Sequence, residues 1–195
     1  ASARAALGLP ADKPVLLLMG GSQGSRAING WVEQALAAGA GSPALSYLHL
    51  AGSEEARDQL ARAYTQAGLR ARVETFLPGI GIAYRAASLA LVRGGGATLA
   101  ELLAAGVPGV CVPMPGSADD HQRKNADAFV AMGGVRWLEE STLTTDHFRE
   151  LVDLAQSPWQ IEQHAQRARS AGRPNAAAVV ARRLVNLSNP QHPAA

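Results

Sequence analysis

Val15-Leu16-Leu17-Leu18-Met19-Gly20-Gly21-Ser22-Gln23-Gly24 is an apolar run that ends in a glycine-rich turn, and this pattern decides the fold. The chain repeats it in Leu89-Ala90-Leu91-Val92-Arg93-Gly94-Gly95-Gly96-Ala97-Thr98. Residues 20–24 are called the first glycine turn and residues 93–98 the second. Each leads into a helix-like segment, whose N-terminus presents free backbone N–H groups and the positive end of the helix dipole. We therefore predict two phosphate-binding loops. Two such loops suggest a ligand with a diphosphate, or with one phosphate flanked by polar groups.

Composition narrows the class of protein. With 195 residues, 47% of them apolar, the chain is long enough for one well-packed domain and short for two. Its 18 Lys and Arg are scattered and only 5% of residues are aromatic, which argues against nucleic-acid binding. The single cysteine, Cys111, lies in an apolar run and excludes a disulfide framework, which fits a reducing, cytoplasmic compartment. No apolar run reaches the ~20 residues of a membrane-spanning helix, and we expect no signal peptide.

Strand-like and helix-like segments alternate along the chain. The predicted strands cover residues 15–19, 45–50, 73–77, 89–92, 110–112 and 135–138. The predicted helices cover residues 25–38, 54–67, 80–86, 98–105 and 121–132, and three more begin at Thr144, Ser157 and Asn175. We expect one domain over residues 1–186 and a disordered tail over residues 187–195.

This alternation predicts an α/β fold with a Rossmann-like, doubly wound sheet of six parallel strands. In the commonest order, 3-2-1-4-5-6, strands 1 and 4 are neighbours and the winding reverses between them. Ligands bind at that switch point, outside the carboxyl ends of the strands. Because the two glycine turns follow these two strands, the fold would place them side by side at the favoured binding position.

Glu101 is the most informative polar residue near these turns. The glycine spacing fits neither Gly-x-Gly-x-x-Gly nor a Walker loop, so NAD and Walker-type sites are poorly supported. Glu101 lies one helical turn after Thr98, on the same face, and its carboxylate would accept hydrogen bonds from both ribose hydroxyls of a nucleotide. The alternative is a capping box, in which Glu101 turns back to the backbone. The residues alone leave both interpretations open.

A third polar cluster, residues 114–125, follows the fifth predicted strand. His121, Gln122 and Asn125 lie within one turn and offer the donors and acceptors that sugar hydroxyls need. We interpret Asp119-Asp120 as a solvated helix N-terminus, which the dipole favours, rather than as a metal site. The histidines outside any motif are interpreted as surface or packing residues: His49, His147, His164 and His192.

Three segments, in this order and spacing, resemble a known family. They are Gly-Gly-Ser-Gln-Gly-Ser-Arg at 20–26, Ala-Thr-Leu-Ala-Glu-Leu at 97–102 and Asp-Asp-His-Gln-Arg-Lys-Asn-Ala at 119–126. From Val15 to about Val185 the chain resembles the C-terminal, donor-binding half of the MurG family, the bacterial peptidoglycan N-acetylglucosaminyltransferases. The resemblance implies one half of a GT-B fold with extra C-terminal helices. It also implies inverting transfer of N-acetylglucosamine (GlcNAc) from UDP-GlcNAc to undecaprenyl-diphospho-muramoyl-pentapeptide, with neither metal nor cofactor.

The resemblance assigns residues of this chain to parts of the donor. Those near the diphosphate are Gly21, Ser22 and Gln23, and those around the uracil are Phe76, Leu77 and Ile80. Phosphate and sugar would meet Gly96, Ala97 and Thr98, the ribose would meet Glu101, and the GlcNAc hydroxyls would meet His121 and Gln122, with Asn125 supporting their loop. Ala97 stands where the family usually has Leu, which loosens the second glycine turn. No catalytic residue and no metal ligand is assigned in this chain.

The resemblance covers only a donor half. It implies that the N-terminal acceptor domain, with its membrane-facing surface and its histidine base, is missing, so the chain should bind donor without transferring it. The full-length enzyme would be peripheral on the cytoplasmic face of the inner membrane and would meet the lipid acceptor through that domain. Two alternatives remain: a stand-alone UDP-sugar-binding subunit of a split GT-B transferase, and a related UDP-GlcNAc epimerase or glycolipid synthase. The start at Ala1 rather than Met argues mildly against a natural subunit.

Overall fold

A computed structural model describes residues 2–21 and 23–188. The strands are β1 (Val15–Met19), β2 (Ser46–Leu50), β3 (Ala71–Glu74), β4 (Leu89–Val92), β5 (Gly109–Cys111) and β6 (Arg136–Trp137). The helices are α1 (Ser2–Ala6), α2 (Arg26–Ala37), α3 (Glu54–Gln66), α4 (Gly81–Ala86), α5 (Gly96–Ala105), α6 (His121–Ala131), α7 (Thr145–Ala155), α8 (Pro158–Ala171) and α9 (Ala176–Ser188). Short 3-10 helices cover Ala118–Asp120 and Glu140–Thr142.

The strands form one parallel sheet in the order β3-β2-β1-β4-β5-β6, so the predicted α/β architecture and strand order are confirmed. Strand β1 lies at the centre, where Leu16 pairs with Tyr47 of β2 on one side and with Leu89 of β4 on the other. Every residue of β1 is buried. This is expected of a parallel strand covered on both faces, and it explains the uninterrupted apolar run.

Helices cover both faces of the sheet. Leu16 and Leu18 point into a core formed with α2, α3 and α7. Val15, Leu17 and Met19 point into a second core, formed with α4, α5 and α6. Burial of each such side chain contributes roughly 1.5–3 kcal/mol. The two cores fix the strands, and therefore fix where the loops at their carboxyl ends emerge.

Strand β3 is displaced from its predicted position, residues 73–77. Its pairing with β2 ends at Leu50↔Glu74, and the chain then leaves the sheet. Phe76 is 62% exposed while Leu77 is buried, and Pro78, which has no N–H to donate, follows. The apolar residues 76–77 therefore belong to a loop at the end of the sheet.

The part of the chain that the structure describes begins and ends in helices. Helix α1 was not predicted because its five residues carry no start signal; it is tethered by Arg4, whose Nε donates to Ala86 O at 3.0 Å. The predicted C-terminal helices are α7, α8 and α9. Every residue of α9 is exposed. Leu187 and Ser188 belong to α9 rather than to the predicted tail, and residues 189–195 lie outside the described part of the chain.

Within residues 2–21 and 23–188, the longest and most apolar helices fall short of what is needed to cross a membrane.

Candidate functional site

The two glycine turns lie side by side, as the strand order predicts. Met19 pairs with Val92 at the carboxyl ends of β1 and β4, and both turns leave the sheet at this edge. Arg93 joins them, because its Nη2 donates to Ser25 Oγ at 2.5 Å. Ser25 is the N-cap of α2 and accepts from Ile28 N at 3.2 Å. The switch point is therefore built from two helix N-termini, those of α2 and α5.

A cavity of about 560 Å³, here called the glycine-loop pocket, opens between the turns. Its lining includes Gly20, Gly21, Gln23, Gly24, Arg93, Gly95, Thr98, Met114 and Gln122. The N-cap of α5 is Gly95, which supplies no side-chain cap. The first N–H groups of a helix have no partner within it, so those at the start of α5 are available to an anion.

In the first glycine turn, backbone packing requires two of the glycines. A Cβ on Gly20 would lie 2.4 Å from Ser25 N. A Cβ on Gly24, whose φ is +71°, would lie 2.2 Å from Ala51 O. A Cβ on Gly21, whose φ is +93°, would meet no described atom within 4 Å. The predicted contact residue Ser22 lies outside the described residues.

The second glycine turn is held by α6. Gln122 Oε1 accepts from Gly94 N at 3.1 Å and from Met114 N at 3.0 Å. Asn125 Nδ2 donates to Gly94 O at 3.0 Å. Gly94 is thus bound at both its N–H and its C=O, whereas Cβ atoms on Gly95 and Gly96 would approach described atoms no closer than 3.9 and 3.5 Å. Gly95, which lines the glycine-loop pocket, leaves room for a ligand there.

Glu101 does not form a capping box with Thr98, so that alternative is wrong. Helix α5 begins at Gly96, which places Thr98 inside the first turn rather than at the N-cap. Glu101 Oε2 instead accepts from the hydroxyl of Tyr84 at 2.8 Å. Burial raises the pKa of Tyr84 well above its ordinary value, and the hydrogen bond to Glu101 adds to the effect. Tyr84 therefore remains a donor that orients the carboxylate.

A second cavity, here called the Phe76 pocket, has a volume of about 350 Å³ and adjoins the first. Met19, Gly21 and Thr98 line both cavities. The other residues around the Phe76 pocket are Leu50, Thr75, Phe76, Leu77, Gly79, Ile80, Tyr84 and Glu101. It combines an exposed aromatic ring with one carboxylate. A planar base beside a ribose would match that combination.

Some predicted site residues lie apart from these two pockets. Gly96 and Asn125 line a separate cavity of about 230 Å³ between α5 and α6. Ala97 and His121 are exposed and are absent from the described linings of both pockets. His121 Nδ1 lies 2.7 Å from Ala118 O. Gln122 has its Oε1 engaged by two backbone N–H groups, so its Nε2 is the atom left to meet a sugar hydroxyl.

The loop before α6 carries backbone strain. Asp119 and Asp120 have φ of 49° and 55°, a left-handed conformation that costs about 1–2 kcal/mol for each non-glycine residue. Ser117, which is buried, fixes the loop by accepting from Gln122 N at 3.2 Å. Among the described residues, no group of three or more His, Cys, Asp and Glu side chains is arranged to hold a metal ion.

Sequence reasoning missed the roles of Arg93 and Tyr84. The Arg93 side chain is only 12% exposed; besides Ser25 it pairs with Glu140 at 2.5 Å and reaches Val112 O at 3.3 Å. The available signal for Arg93 was its position as a charged residue at the end of a buried central strand. Tyr84 gave no comparable signal, because it is 17 positions from Glu101 in sequence.

Cys111 is fully buried, and burial raises the pKa of its thiol to about 12. Such a thiol is inert as a nucleophile at neutral pH.

Comparison with known proteins agrees with this geometry. The Glycosyltransferase family 28 C-terminal domain matches residues 15–180. The UDP-N-acetylglucosamine–N-acetylmuramyl-(pentapeptide) pyrophosphoryl-undecaprenol N-acetylglucosamine transferase of Alkalilimnicola ehrlichii is 42% identical over 90% of this chain and 49% of its own length. The protein of the same name from Salinibacter ruber is 37% identical over 96% of this chain and 50% of its own length. The chain thus spans about half the length of the curated relatives it matches.

Solved structures show the same fold. MurG of Acinetobacter baumannii superposes with a TM-score of 0.78 at 30% identity, covering 94% of this chain and 53% of its own. A UDP-GlcNAc 2-epimerase from Neisseria meningitidis, solved with UDP-GlcNAc, has a TM-score of 0.64 at 17% identity, covering 96% of this chain and 48% of its own. At that identity the second likeness shows the fold alone.

Proposed function

Because the chain belongs to the Glycosyltransferase family 28 C-terminal domain family, we propose that it binds UDP-GlcNAc as the sugar donor of a transferase. The names of its relatives describe GlcNAc transfer to a pyrophosphoryl-undecaprenol carrier bearing N-acetylmuramyl-pentapeptide. We propose the same reaction for the protein to which this chain contributes the donor site, with inversion at the sugar and without a metal. Acceptor binding would lie in the part of the relatives that this chain does not match.

The observation that carries the proposal is the junction of the two pockets at Gly21 and Thr98. Uracil would lie against Phe76 in one pocket, and the diphosphate would lie between the glycine turns in the other. The ribose between them would face Glu101, whose carboxylate is already oriented by Tyr84 at 2.8 Å. Charge-assisted hydrogen bonds of this kind are the strong ones, which favours a diol at this position.

The two helix N-termini suggest how the chain would assist the reaction. As the bond to the sugar breaks, negative charge develops on the UDP leaving group. The N–H groups at the start of α5 and the dipoles of α2 and α5 would stabilise that charge. Because these dipoles are fixed by the fold, no reorganisation is needed when the charge appears. This arrangement would supply the role that a metal ion has in other transferases.

The sugar would extend toward Gln122 and the strained loop before α6. Gln122 Nε2 remains as a donor, and His121 lies at the exposed start of the helix. We propose that these two residues read the GlcNAc hydroxyls, while Asn125 acts indirectly by holding Gly94. Donor preference would then depend on a loop held in place by α6.

For the longer protein we propose a peripheral position on the cytoplasmic face of the inner membrane, where the lipid acceptor is available. The partners would be UDP-GlcNAc, the acceptor-binding domain and, through it, the lipid, with no nucleic acid. Residues 1–195 alone should bind donor and give negligible transfer. Turnover of UDP-GlcNAc onto a lipid acceptor by this chain would contradict that part of the proposal.

Calorimetric titration with UDP, UDP-GlcNAc and UDP-galactose in EDTA tests the donor site. We expect binding of UDP, and tighter binding of UDP-GlcNAc than of UDP-galactose. Loss of binding in EDTA that Mg²⁺ restores would contradict the metal-free site. Equal affinity for the two sugar nucleotides would contradict the role given to the loop before α6, and would favour a binding subunit that reads only UDP.

A further inference from the structure

A buried network of hydrogen-bonded polar side chains lies beneath the first glycine turn. His49, which belongs to no sequence motif, is fully buried on β2. Its Nδ1 lies 3.2 Å from the hydroxyl of Tyr64, and its Nε2 lies 3.1 Å from Asn29 Oδ1. Asn29, 7% exposed, donates from Nδ2 to Ala51 O at 3.0 Å. This network of hydrogen bonds thus runs from α3 through β2 and α2 to the loop that follows β2.

These hydrogen bonds can run in only one direction. A backbone carbonyl only accepts, so Asn29 must turn its NH₂ group toward Ala51 and its oxygen toward His49. The imidazole therefore carries its hydrogen on Nε2, and Nδ1 accepts from Tyr64. Burial lowers the pKa of His49 to about 3, so the neutral ring that this direction requires persists at neutral pH. A buried network in which every member is satisfied favours one geometry over its alternatives.

The network of hydrogen bonds ends against the first glycine turn. Ala51 O is the atom that a Cβ on Gly24 would approach to 2.2 Å, and a Cβ on Gly52 would lie 2.4 Å from Gly24 N. Gly24 N in turn donates to Gly21 O at 3.1 Å and closes the turn. Asn29 also lies in the first turn of α2, where its own N–H bonds to Ser25 O at 2.9 Å. One amide side chain therefore connects the start of α2 with the backbone on which the turn rests.

We propose that Tyr64, His49 and Asn29 are positioning residues that fix the first glycine turn and the N-terminus of α2 for the diphosphate of a nucleotide. This inference rests on the proposed function for the identity of the ligand. None of the three side chains lines the glycine-loop pocket in the described part of the chain, so each acts through the backbone of residues 20–26. Loss of a link would let the turn move and would weaken binding without removing any ligand contact.

The chain offers a matched pair of variants for the test. Tyr64→Phe removes the hydroxyl at the far end of the network and keeps the ring. Tyr47→Phe is the control, because Tyr47 is also buried and its ring centroid lies 5.1 Å from that of Tyr64. The Tyr47 hydroxyl, however, accepts from Ser42 N at 2.8 Å, near the opposite end of β2. Both variants lose one buried hydroxyl, but only Tyr64→Phe breaks the link to the turn.

A second variant, Asn29→Asp, has nearly the same shape and still accepts from His49. It replaces the donor to Ala51 O with an oxygen, so it breaks the network at the turn itself. If Asn29→Asp fails to fold, Tyr64→Phe against Tyr47→Phe decides the question.

Three quantities are measured for each variant: the Kd for UDP, the amide NMR shifts of Gly20, Gly21 and Gly24 without ligand, and the Tm. We expect Tyr64→Phe to shift these glycine resonances and to raise the Kd about threefold, and Asn29→Asp to raise it about tenfold or more. Tyr47→Phe should lower the Tm similarly while leaving both the resonances and the Kd unchanged.

The inference is overturned if Tyr64→Phe and Tyr47→Phe behave alike in the resonances and in the Kd, because the network would then be structural only. If the wild-type protein binds no UDP, the proposed function fails. The ligand-free resonances still decide whether the network positions the turn.

Discussion

The two glycine turns look alike in sequence but differ in how many of their glycines the packing of the backbone requires. In the first, Gly20 and Gly24 are required because a Cβ on either would come within 2.4 Å of backbone. In the second, a Cβ on Gly94 would lie 2.4 Å from Gln122 O, whereas a Cβ on Gly95 or Gly96 would make only ordinary contacts, at 3.9 and 3.5 Å. Glycine in such a turn can therefore serve the packing of the protein or the access of a ligand. The sequence does not distinguish the two.

The turns also differ in how they are held. The first rests on the buried network that ends at Asn29 and Ala51, beneath the sheet edge. The second is held from the side by Gln122 and Asn125 of α6, both of which are only half-buried. Arg93 joins the two through Ser25. We therefore expect changes at Gly20 or Gly24 to act mainly on stability, and changes at Gly95 mainly on ligand binding.

The largest effect is expected for Gly24→Ala. The new methyl would overlap Ala51 O, and φ of +71° is unfavourable for alanine, so the free energy of unfolding should fall by about 3–4 kcal/mol. Chemical denaturation measures it. Gly21→Ala is the matched control, since φ is +93° there but no described atom lies within 4 Å of the new methyl, and only about 1 kcal/mol should be lost. Equal losses in the two variants would show that backbone conformation, and not packing, requires the glycine.

Arg93→Met tests the connection between the turns. It leaves the carboxylate of Glu140, itself 21% exposed, without its partner and should lower the free energy of unfolding by about 2–3 kcal/mol. Arg136→Met is the control, because the Arg136–Glu150 pair is 40% and 52% exposed and should contribute at most about 1 kcal/mol. A similar loss in both variants would mean that Arg93 is no more than a surface charge.

Acid should weaken the support of the first turn. The pKa of His49 is about 3 in the folded protein and about 6.5 when unfolded, so the unfolded state takes up the proton first. The contribution is fully present above pH 6.5 and is lost as the pH falls toward 3, at a cost of about 1.5–2 kcal/mol by pH 5. Urea unfolding of the wild type and of His49→Gln at pH 7 and pH 5 measures it. Identical pH dependence in the two proteins would exclude His49 as the cause.

Glu101→Ala tests the Phe76 pocket, which the helix of the second turn borders. Loss of charge-assisted hydrogen bonds to the ribose should weaken UDP binding by about 1–2 kcal/mol. Tyr84→Phe, which keeps the carboxylate but removes its donor, should weaken binding less. A fall in Tm for Glu101→Ala with unchanged UDP affinity would show that Glu101 serves only as the partner of Tyr84.

The smallest effect on stability is expected for Gly95→Ala in the second turn. Its φ of −69° suits alanine, and the methyl would lie 3.9 Å from Thr98 Oγ1, so stability should change by about 0.5 kcal/mol or less. UDP affinity should nevertheless fall, because Gly95 lines the glycine-loop pocket. A stable variant with wild-type affinity would contradict the claim that this glycine provides access for the ligand.

Sequence patterns predicted most of the fold because those patterns follow from local geometry. The apolar runs at β1 and β4 and the alternation with helices led to the correct sheet order. The error at β3 arose because Phe76 and Leu77 are apolar for another reason: they form the wall of a pocket and the packing beneath it. An apolar pair in a loop cannot be told from the end of a strand by periodicity alone.

The candidate site was only partly accessible to the same reasoning. Both glycine turns, Thr98 and Glu101 meet at the predicted edge of the sheet. The partners that orient them were not foreseen, because Tyr84 reaches Glu101 across 17 positions and Arg93 reaches Ser25 across 68. Hydrogen bonds between residues so far apart in the sequence leave no characteristic residue spacing by which they could be predicted.

The sequence by itself determined the order of the strands, the position of the glycine turns and the family, since these depend on residue type and local periodicity. The tertiary structure decided which glycines the packing requires and which leave space for a ligand. It also decided that Gln122 and Asn125 hydrogen-bond to Gly94. His49, finally, became a buried member of a hydrogen-bonded network only through the fold. Each of these depends on distances between segments remote in the chain. Such distances are set by how the helices pack against the sheet in the two cores.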